Sequence, residues 1–291
     1  MIRVGIIGTE NSHALAFAKY FNLPDKQTGK TPYENIRVTC VMGDDESVKR
    51  IQEEAGVPER AQTLQDFDGR VDAMMVTSRR GSQHYEYALP FVRKGMPMFI
   101  DKPFTADPAQ AEQLAQEIAA AGCPVVGGSG CKYAENLQKV KGIVEELKAK
   151  NAFMGAVLNF RVMLDSEYDG VYFYASHLIE MCLEAFGWEP QAVYAHRNGD
   201  NLTAIVEYLD YSVNLCFTST AKVTSALVFG QEKNYYEEID ISAIYAQEAQ
   251  QFALLAMQKR ESAPLKQLVM PVKMIDAIWR SQKNGEKVQI S

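Results

Sequence analysis

Lys102 is the residue of this sequence that most directly suggests chemistry. It stands in Asp101-Lys102-Pro103, directly after the apolar run Met98-Phe99-Ile100, so a buried strand delivers its ammonium at that strand's carboxyl end. In open α/β sheets that edge is where ligands bind, and a lysine there shifts its pKa readily and serves as acid, base or oxyanion partner. Pro103 fixes its own φ and biases Lys102 toward extended backbone, which stiffens the exit from the strand. His177, within Ser176-His177-Leu178-Ile179-Glu180, is a second such group, because an imidazole with an unperturbed pKa of about 6.5 exchanges protons near neutrality. His177 and Glu180 share one helical face but supply only two ligands, and the four histidines are dispersed, so no metal is expected.

A different chemistry is suggested at the front of the chain. Gly5-Ile6-Ile7-Gly8-Thr9, followed by Glu10, Asn11 and Ser12, joins an apolar run to a helix. The backbone N–H groups and the positive dipole end of a helix start suit a phosphate. A full Gly-x-Gly-x-x-Gly fingerprint requires glycines where this chain has Glu10 and His13, and Glu10 adds a negative charge at the turn. Asp44, after the second apolar run, suits the hydroxyls of a ribose and repels an extra phosphate. It equally suits the start of a helix, where acidic side chains are favourable in any protein.

These residues have to be positioned by an alternating scaffold. Apolar runs at 2–7, 36–41, 71–77, 98–100 and 124–127 read as strands, and the periodic stretches 13–21, 47–55, 86–94 and 108–121 as helices between them. The polar stretch 24–35, with Pro, Gly and Lys, reads as a loop. Short strands apolar on both faces indicate a mostly parallel sheet covered by helices. Beyond about residue 134 the pattern changes. Helices are expected at 134–148, 176–186, 245–259 and 272–284, and antiparallel strands at 152–162, 191–197, 202–208 and 212–219.

Composition narrows the class further. At 291 residues the chain exceeds one ordinary core, so two domains are expected, 1–125 and 126–291. A formal charge of -7 argues against a nucleic-acid footprint, which needs a clustered basic surface, and leaves small molecules as the expected partners. No apolar run is long enough to span a bilayer, and the first one, interrupted by Gly5, reads as a strand rather than a signal peptide. Five cysteines without a Cys-x-x-Cys pair indicate neither a disulfide framework nor a zinc knuckle, and a cytoplasmic location is the expectation.

In this order the pieces resemble the Gfo/Idh/MocA family, named for glucose-fructose oxidoreductase, inositol dehydrogenase and a rhizopine-catabolism protein. The resemblance spans nearly the whole chain. It is carried by Gly5-Ile6-Ile7-Gly8-Thr9, by Val71-Asp72-Ala73 leading to Thr77-Ser78 and His84, by Asp101-Lys102-Pro103 in place of the family's Glu-Lys-Pro, and by Ser176-His177-Leu178-Ile179-Glu180. It implies a doubly wound Rossmann domain that binds a nicotinamide dinucleotide, NAD on the reading of Asp44. It also implies an α+β domain with an open, mostly antiparallel sheet that holds a sugar or polyol and mediates self-association as a dimer or tetramer. The last helix is expected to be able to pack back on the first domain.

The resemblance implies roles as well. Gly8, Thr9, Glu10, Asn11, Ser12, Asp44, Thr77, Ser78, His84, Asp101 and Lys102 are expected around the cofactor, with His84 either facing the nicotinamide or capping the helix that follows it. Oxidising a secondary alcohol removes a hydroxyl proton together with a hydride, so a base must lie within hydrogen-bond reach of the oxygen. His177 is the expected base, and Lys102 the group that stabilises the alkoxide. Where the family has an aspartate four residues before the histidine, this chain has Phe173, so Tyr172 or Tyr174 is expected to take part of that role. A tyrosine with an unperturbed pKa of about 10 is a better donor than base. Asp165, on the loop before, is expected to contact substrate hydroxyls together with Lys102, Tyr174 and His177. The expected activity is NAD-dependent oxidation or reduction of a sugar, polyol or related metabolite. Two alternatives are a non-catalytic ligand-binding homologue, motivated by Glu10 and Phe173, and NAD-dependent glycoside cleavage.

Overall fold

The structure, a computed structural model, describes residues 1–25 and 28–290; residues 26 and 27, within the stretch read as a loop, lie outside it. The chain divides into two compact units. One comprises residues 1–105, 109–128 and 245–268, and the other 106–108, 129–244 and 269 onward.

The first unit is built on six parallel strands, β1 (Ile2–Ile7), β2 (Ile36–Met42), β3 (Glu59–Arg60), β4 (Ala73–Val76), β5 (Met98–Ile100) and β6 (Val125–Gly127), in the order β3-β2-β1-β4-β5-β6. Between them run α1 (Ser12–Asn22), α2 (Asp45–Ala55), α3 (His84–Val92) and α4 (Pro108–Ala121). β4 and β5 are buried at every position, as strands covered on both faces must be. The strand order reverses between β1 and β4, the switch point at which doubly wound sheets bind ligands. Register makes this edge even. Ile7 pairs with Met42 and Val76, and Val76 with Ile100, so Gly8, Gly43, Thr77 and Asp101 all leave the sheet side by side.

α7 (Ile244–Ala256) completes this unit from far along the chain. Its Ala249, Phe252, Ala253 and Leu255 join the core formed by Val4, Phe17, Phe21 and Ile36. The Phe252 and Phe21 rings meet edge to face at 6.1 Å.

The second unit carries α5 (Glu135–Ala149), α6 (Tyr172–Phe186) and a seven-stranded sheet of β7 (Phe153–Arg161), β8 (Ala192–Asn198), β9 (Asn201–Glu207), β10 (Ser212–Thr218), β11 (Ser225–Gly230), β12 (Asn234–Glu238) and β13 (Val288–Gln289). Its order is β12-β11-β7-β10-β9-β8-β13, antiparallel throughout except where β7 and β10 run parallel. The expected class is therefore the one observed, an α/β Rossmann domain followed by an α+β domain with a mostly antiparallel sheet. α8 (Leu265–Asn284) runs from the first unit into the second, and its residues from 269 onward group with the second. It begins seven residues before the expected start at 272 and carries Pro271 inside.

Candidate functional site

Gly8 sets the geometry of the first turn. Its φ is +91°, and a Cβ there would fall 2.2 Å from the backbone nitrogen of Ser78. Only glycine permits that conformation beside that backbone. Thr77, fully buried, locks the two strand exits together: its backbone N–H donates to Ile7, and its hydroxyl lies 3.1 and 3.0 Å from the carbonyl oxygens of Ile7 and Gly8. His84 tightens the next layer. Its Nδ1 lies 2.7 Å from the Pro103 carbonyl and its Nε2 2.9 Å from that of Ser78, so the ring ties the β4 exit to the Lys102-Pro103 turn. Burial holds this imidazole below its ordinary pKa, and the neutral ring has one N–H to donate.

Thr9, Glu10, Asn11, Ser12 and Asp44, all expected at a cofactor, line one cavity of about 520 Å³ together with Ser47 and Arg79. Asp44 is the N-cap of α2: its Oδ1 accepts the Ser47 N–H at 3.0 Å, and its Oδ2 is bonded by the Ser47 hydroxyl. Those bonds hold the carboxylate below its usual range. The cap role and a place in the cavity wall are thus both filled by one residue. Asn11 caps α1, accepting from the His13 N–H. Glu10 turns away from the helix and accepts the backbone N–H of Arg79 at 2.9 Å. A carboxylate therefore already satisfies one donor in this wall.

Asp101 and Lys102 leave β5 buried, 0% and 3% exposed. Asp101 Oδ1 accepts the Lys102 N–H at 2.7 Å, while Oδ2 accepts from Asn11 at 3.2 Å and lies 2.7 Å from Nδ1 of His13. Burial alone pushes the Asp101 carboxyl up, but His13 and Lys102 outweigh it and the group sits below its ordinary range. His13 is the counterpart: burial lowers its pKa, yet Asp101 and Glu248 raise it above the usual value. Glu248 is fully buried, and Tyr245 stacks edge to face on His13 at 4.6 Å while its hydroxyl meets Ser12 at 3.0 Å. His13, Tyr245 and Glu248 were not foreseen as part of the site. Position 13, where the fingerprint calls for glycine, was the only signal in the sequence.

In the second unit His177 lies on α6, 8% exposed. Its Nδ1 is 2.7 Å from the Ser129 hydroxyl and 3.4 Å from the Cys131 sulfur. Three residues on, Glu180 accepts the Ser129 backbone N–H at 2.8 Å and pairs with Lys132 at 2.9 Å. Burial would lower the Lys132 pKa, but Glu180 reverses this and holds it well above the ordinary lysine value. Tyr174 is half-buried against Phe173, ring centroids 4.8 Å apart, and lies 6.4 Å from His177. The Tyr172 hydroxyl is driven upward by burial, which keeps it a donor. Asp165 lines another cavity, of about 480 Å³, whose wall includes neither His177 nor Tyr174, and it is paired with Arg197.

Residues 2–129 match the oxidoreductase family with an NAD-binding Rossmann fold designated GFO_IDH_MocA. Over these residues the chain is similar to that family, and the match is to its NAD-binding domain, which makes NAD the cofactor. The local structure fits the dinucleotide at Gly8, at the start of α1 and in the Asp44-lined cavity; Glu10 is the departure. No curated protein matches the sequence significantly. Among solved structures, GenD2 from gentamicin A biosynthesis in complex with NAD is similar with a TM-score of 0.84 at 15% identity, over 100% of this chain and 96% of that one. Scyllo-inositol dehydrogenase from Lactobacillus casei with bound NAD(H) and scyllo-inositol gives 0.84 at 14%, over 100% and 99%. A putative myo-inositol dehydrogenase from Sinorhizobium meliloti 1021 gives 0.82 at 15%, over 100% of both chains. At these identities the likeness establishes the fold.

Proposed function

We propose that this protein transfers hydride between NAD and a CH–OH carbon of a sugar, cyclic polyol or related hydroxylated metabolite, with Lys102 and His177 acting in the same reaction. The observation that carries the reading is the seating of Lys102. An ammonium 3% exposed leaves the carboxyl end of β5 at the switch-point edge, its own N–H held by Asp101 and, through Asn11, by the start of α1. The folds shared with inositol dehydrogenases point to the substrate class.

When bound, NAD supplies the hydride acceptor or donor. Lys102 stabilises the negative charge that grows on the substrate oxygen, where a fixed cation in a dry site is worth most. His177 takes the hydroxyl proton in oxidation and returns it in reduction. Tyr174 donates a hydrogen bond to the substrate. Asp44 accepts from the adenosine ribose. The second sheet leaves Tyr194 and Ile205 on its outer face, 42% and 38% exposed, and this face serves for assembly into a dimer or tetramer.

The test is NAD reduction across a panel of inositols, aldoses and sugar acids. Lys102→Ala and His177→Ala are each expected to lower kcat on the active substrate by about 10²- to 10⁴-fold while NADH still binds. Full turnover in either variant removes that residue from the mechanism. Saturable NADH binding without turnover on any member of the panel would favour a non-catalytic homologue.

A further inference from the structure

We propose that Ser129 is the positioning residue for the His177 imidazole, supplying from a neighbouring turn the orienting bond that a carboxylate one helical turn before the histidine would otherwise give. The inference rests on the assignment of His177 to proton exchange with substrate.

Ser129 follows β6 and caps the 3-10 turn Gly130–Tyr133. It is fully buried and held to α6 from two directions. Its backbone N–H donates to Glu180, and its hydroxyl lies 2.7 Å from His177 Nδ1. Glu180 is in turn fixed by Lys132, and both are less than one-tenth exposed. His177 and Glu180 are three apart and lie on one helical face, so a single serine clamps that face through backbone and side chain together. Position 173, four residues before His177 on the same face, holds a phenylalanine, which has no acceptor to offer.

The hydroxyl differs in kind from a carboxylate. Ser129 Oγ also accepts the Cys131 backbone N–H at 3.1 Å, which leaves it one O–H and one lone pair. It can accept from a protonated Nδ1 or donate to a bare one, and it carries no charge that would favour imidazolium. With Nδ1 committed to Ser129, proton exchange falls to Nε2. In oxidation Nε2 gains the substrate hydroxyl proton as hydride leaves the carbon for NAD, and Nδ1–H bonds to Ser129; in reduction the same proton returns. Among the groups facing the ring are the Cys131 thiol, the Tyr174 phenol and the Phe160 ring, with the Glu180–Lys132 pair one turn along.

The test is long-range ¹⁵N–¹H NMR of the histidine rings in the full-length protein across pH, comparing wild type with Ser129→Ala, Ser129→Thr and Ser129→Asp. Ser129→Ala is expected to change the His177 tautomer pattern while the His13 and His84 signals stay in place and report an intact fold. With the active substrate, kcat falls about 10-fold or more at unchanged NADH affinity, and Ser129→Thr restores it. Ser129→Asp, which introduces a carboxylate partner, is expected to move the acid limb of the pH profile of kcat/KM upward by about one unit or more. His177 ring signals and titration that are the same in Ser129→Ala as in wild type overturn the proposal. If Ser129→Ala fails to fold, the titrations of Ser129→Thr and Ser129→Asp decide, and a His177 titration unmoved by the carboxylate overturns it. The NMR readout needs no turnover, so failure to find an oxidisable substrate counts against the proposed function and leaves this result distinct.

Discussion

Nδ1 of His13 lies 2.7 Å from Oδ2 of Asp101, with both side chains buried in the first unit. A histidine thus stands where a nucleotide-binding fingerprint asks for glycine, and its partner is the residue that fixes Lys102. His13 is held above its ordinary pKa, so the stability it contributes is complete below about pH 6.5 and is lost as pH rises through the higher folded value. Asp101 is held below its ordinary pKa, so its contribution is present above about pH 4 and is lost as pH falls through the lower folded value. The pair contributes most between these limits. Removing the imidazole in His13→Ala leaves a buried carboxylate and is expected to cost about 3 kcal/mol at pH 6. Urea unfolding at several pH values checks this, and the gap between wild type and variant is expected to narrow toward pH 9.

Glu10 occupies the Arg79 N–H from the wall of the cavity that suits the dinucleotide. Both the charge and the lost donor oppose a pyrophosphate. Glu10→Gly is expected to tighten NADH binding by about 10-fold, the equivalent of roughly 1.4 kcal/mol, and Glu10→Gln by less. Fluorescence titration at two salt concentrations measures both, with a weaker salt dependence if charge repulsion is the main cause removed.

Asp44 is predicted to exclude NADP. Asp44→Ser keeps an α2 N-cap while removing the charge that opposes a 2′-phosphate. NADPH affinity is expected to rise by about 10-fold or more relative to NADH, measured by competition between the two cofactors.

The Glu180–Lys132 pair is expected to behave as a structural clamp rather than a titrating switch. Glu180→Ala strands a buried ammonium and frees the Ser129 backbone, at an expected cost of about 3–5 kcal/mol by thermal or denaturant unfolding. Lys132 is held above the ordinary lysine pKa, so its contribution is complete below that value and is lost only as pH rises beyond it. The stability difference should therefore stay constant between pH 6 and 9.

Much of this fold is written locally. The apolar runs that became β4 and β5 can be read directly, because strands buried on both faces leave no room for polar residues. β11 and β12 went unread. In Asn234–Glu238 exposed and half-buried residues alternate because the strand pairs on one side only, at the sheet edge, so no apolar run marks it. α6 starts at Tyr172 rather than 176, with no side-chain cap to announce it. Lys102 and His177, one in each unit, stood out by context. Their supports did not: Ser129 lies 48 residues from His177 in sequence, and a glutamate inside a helix, like Glu248, ordinarily reads as a solvated face. Such partnerships arise only when the chain crosses itself.

The return of residues 245–268 to the first unit bears on how this protein can be made. A ribosome emits the six strands of the nucleotide-binding sheet first, but Phe252 and Ala249 emerge only after six of the seven strands of the second sheet, β7 to β12. Until then Phe17 and Phe21 lack part of their cover, and the early product is the kind of incompletely packed species on which chaperones act. A gene cut at residue 129 should for the same reason yield an aggregation-prone fragment, and splicing residues 245–268 onto it by a short linker is the natural remedy.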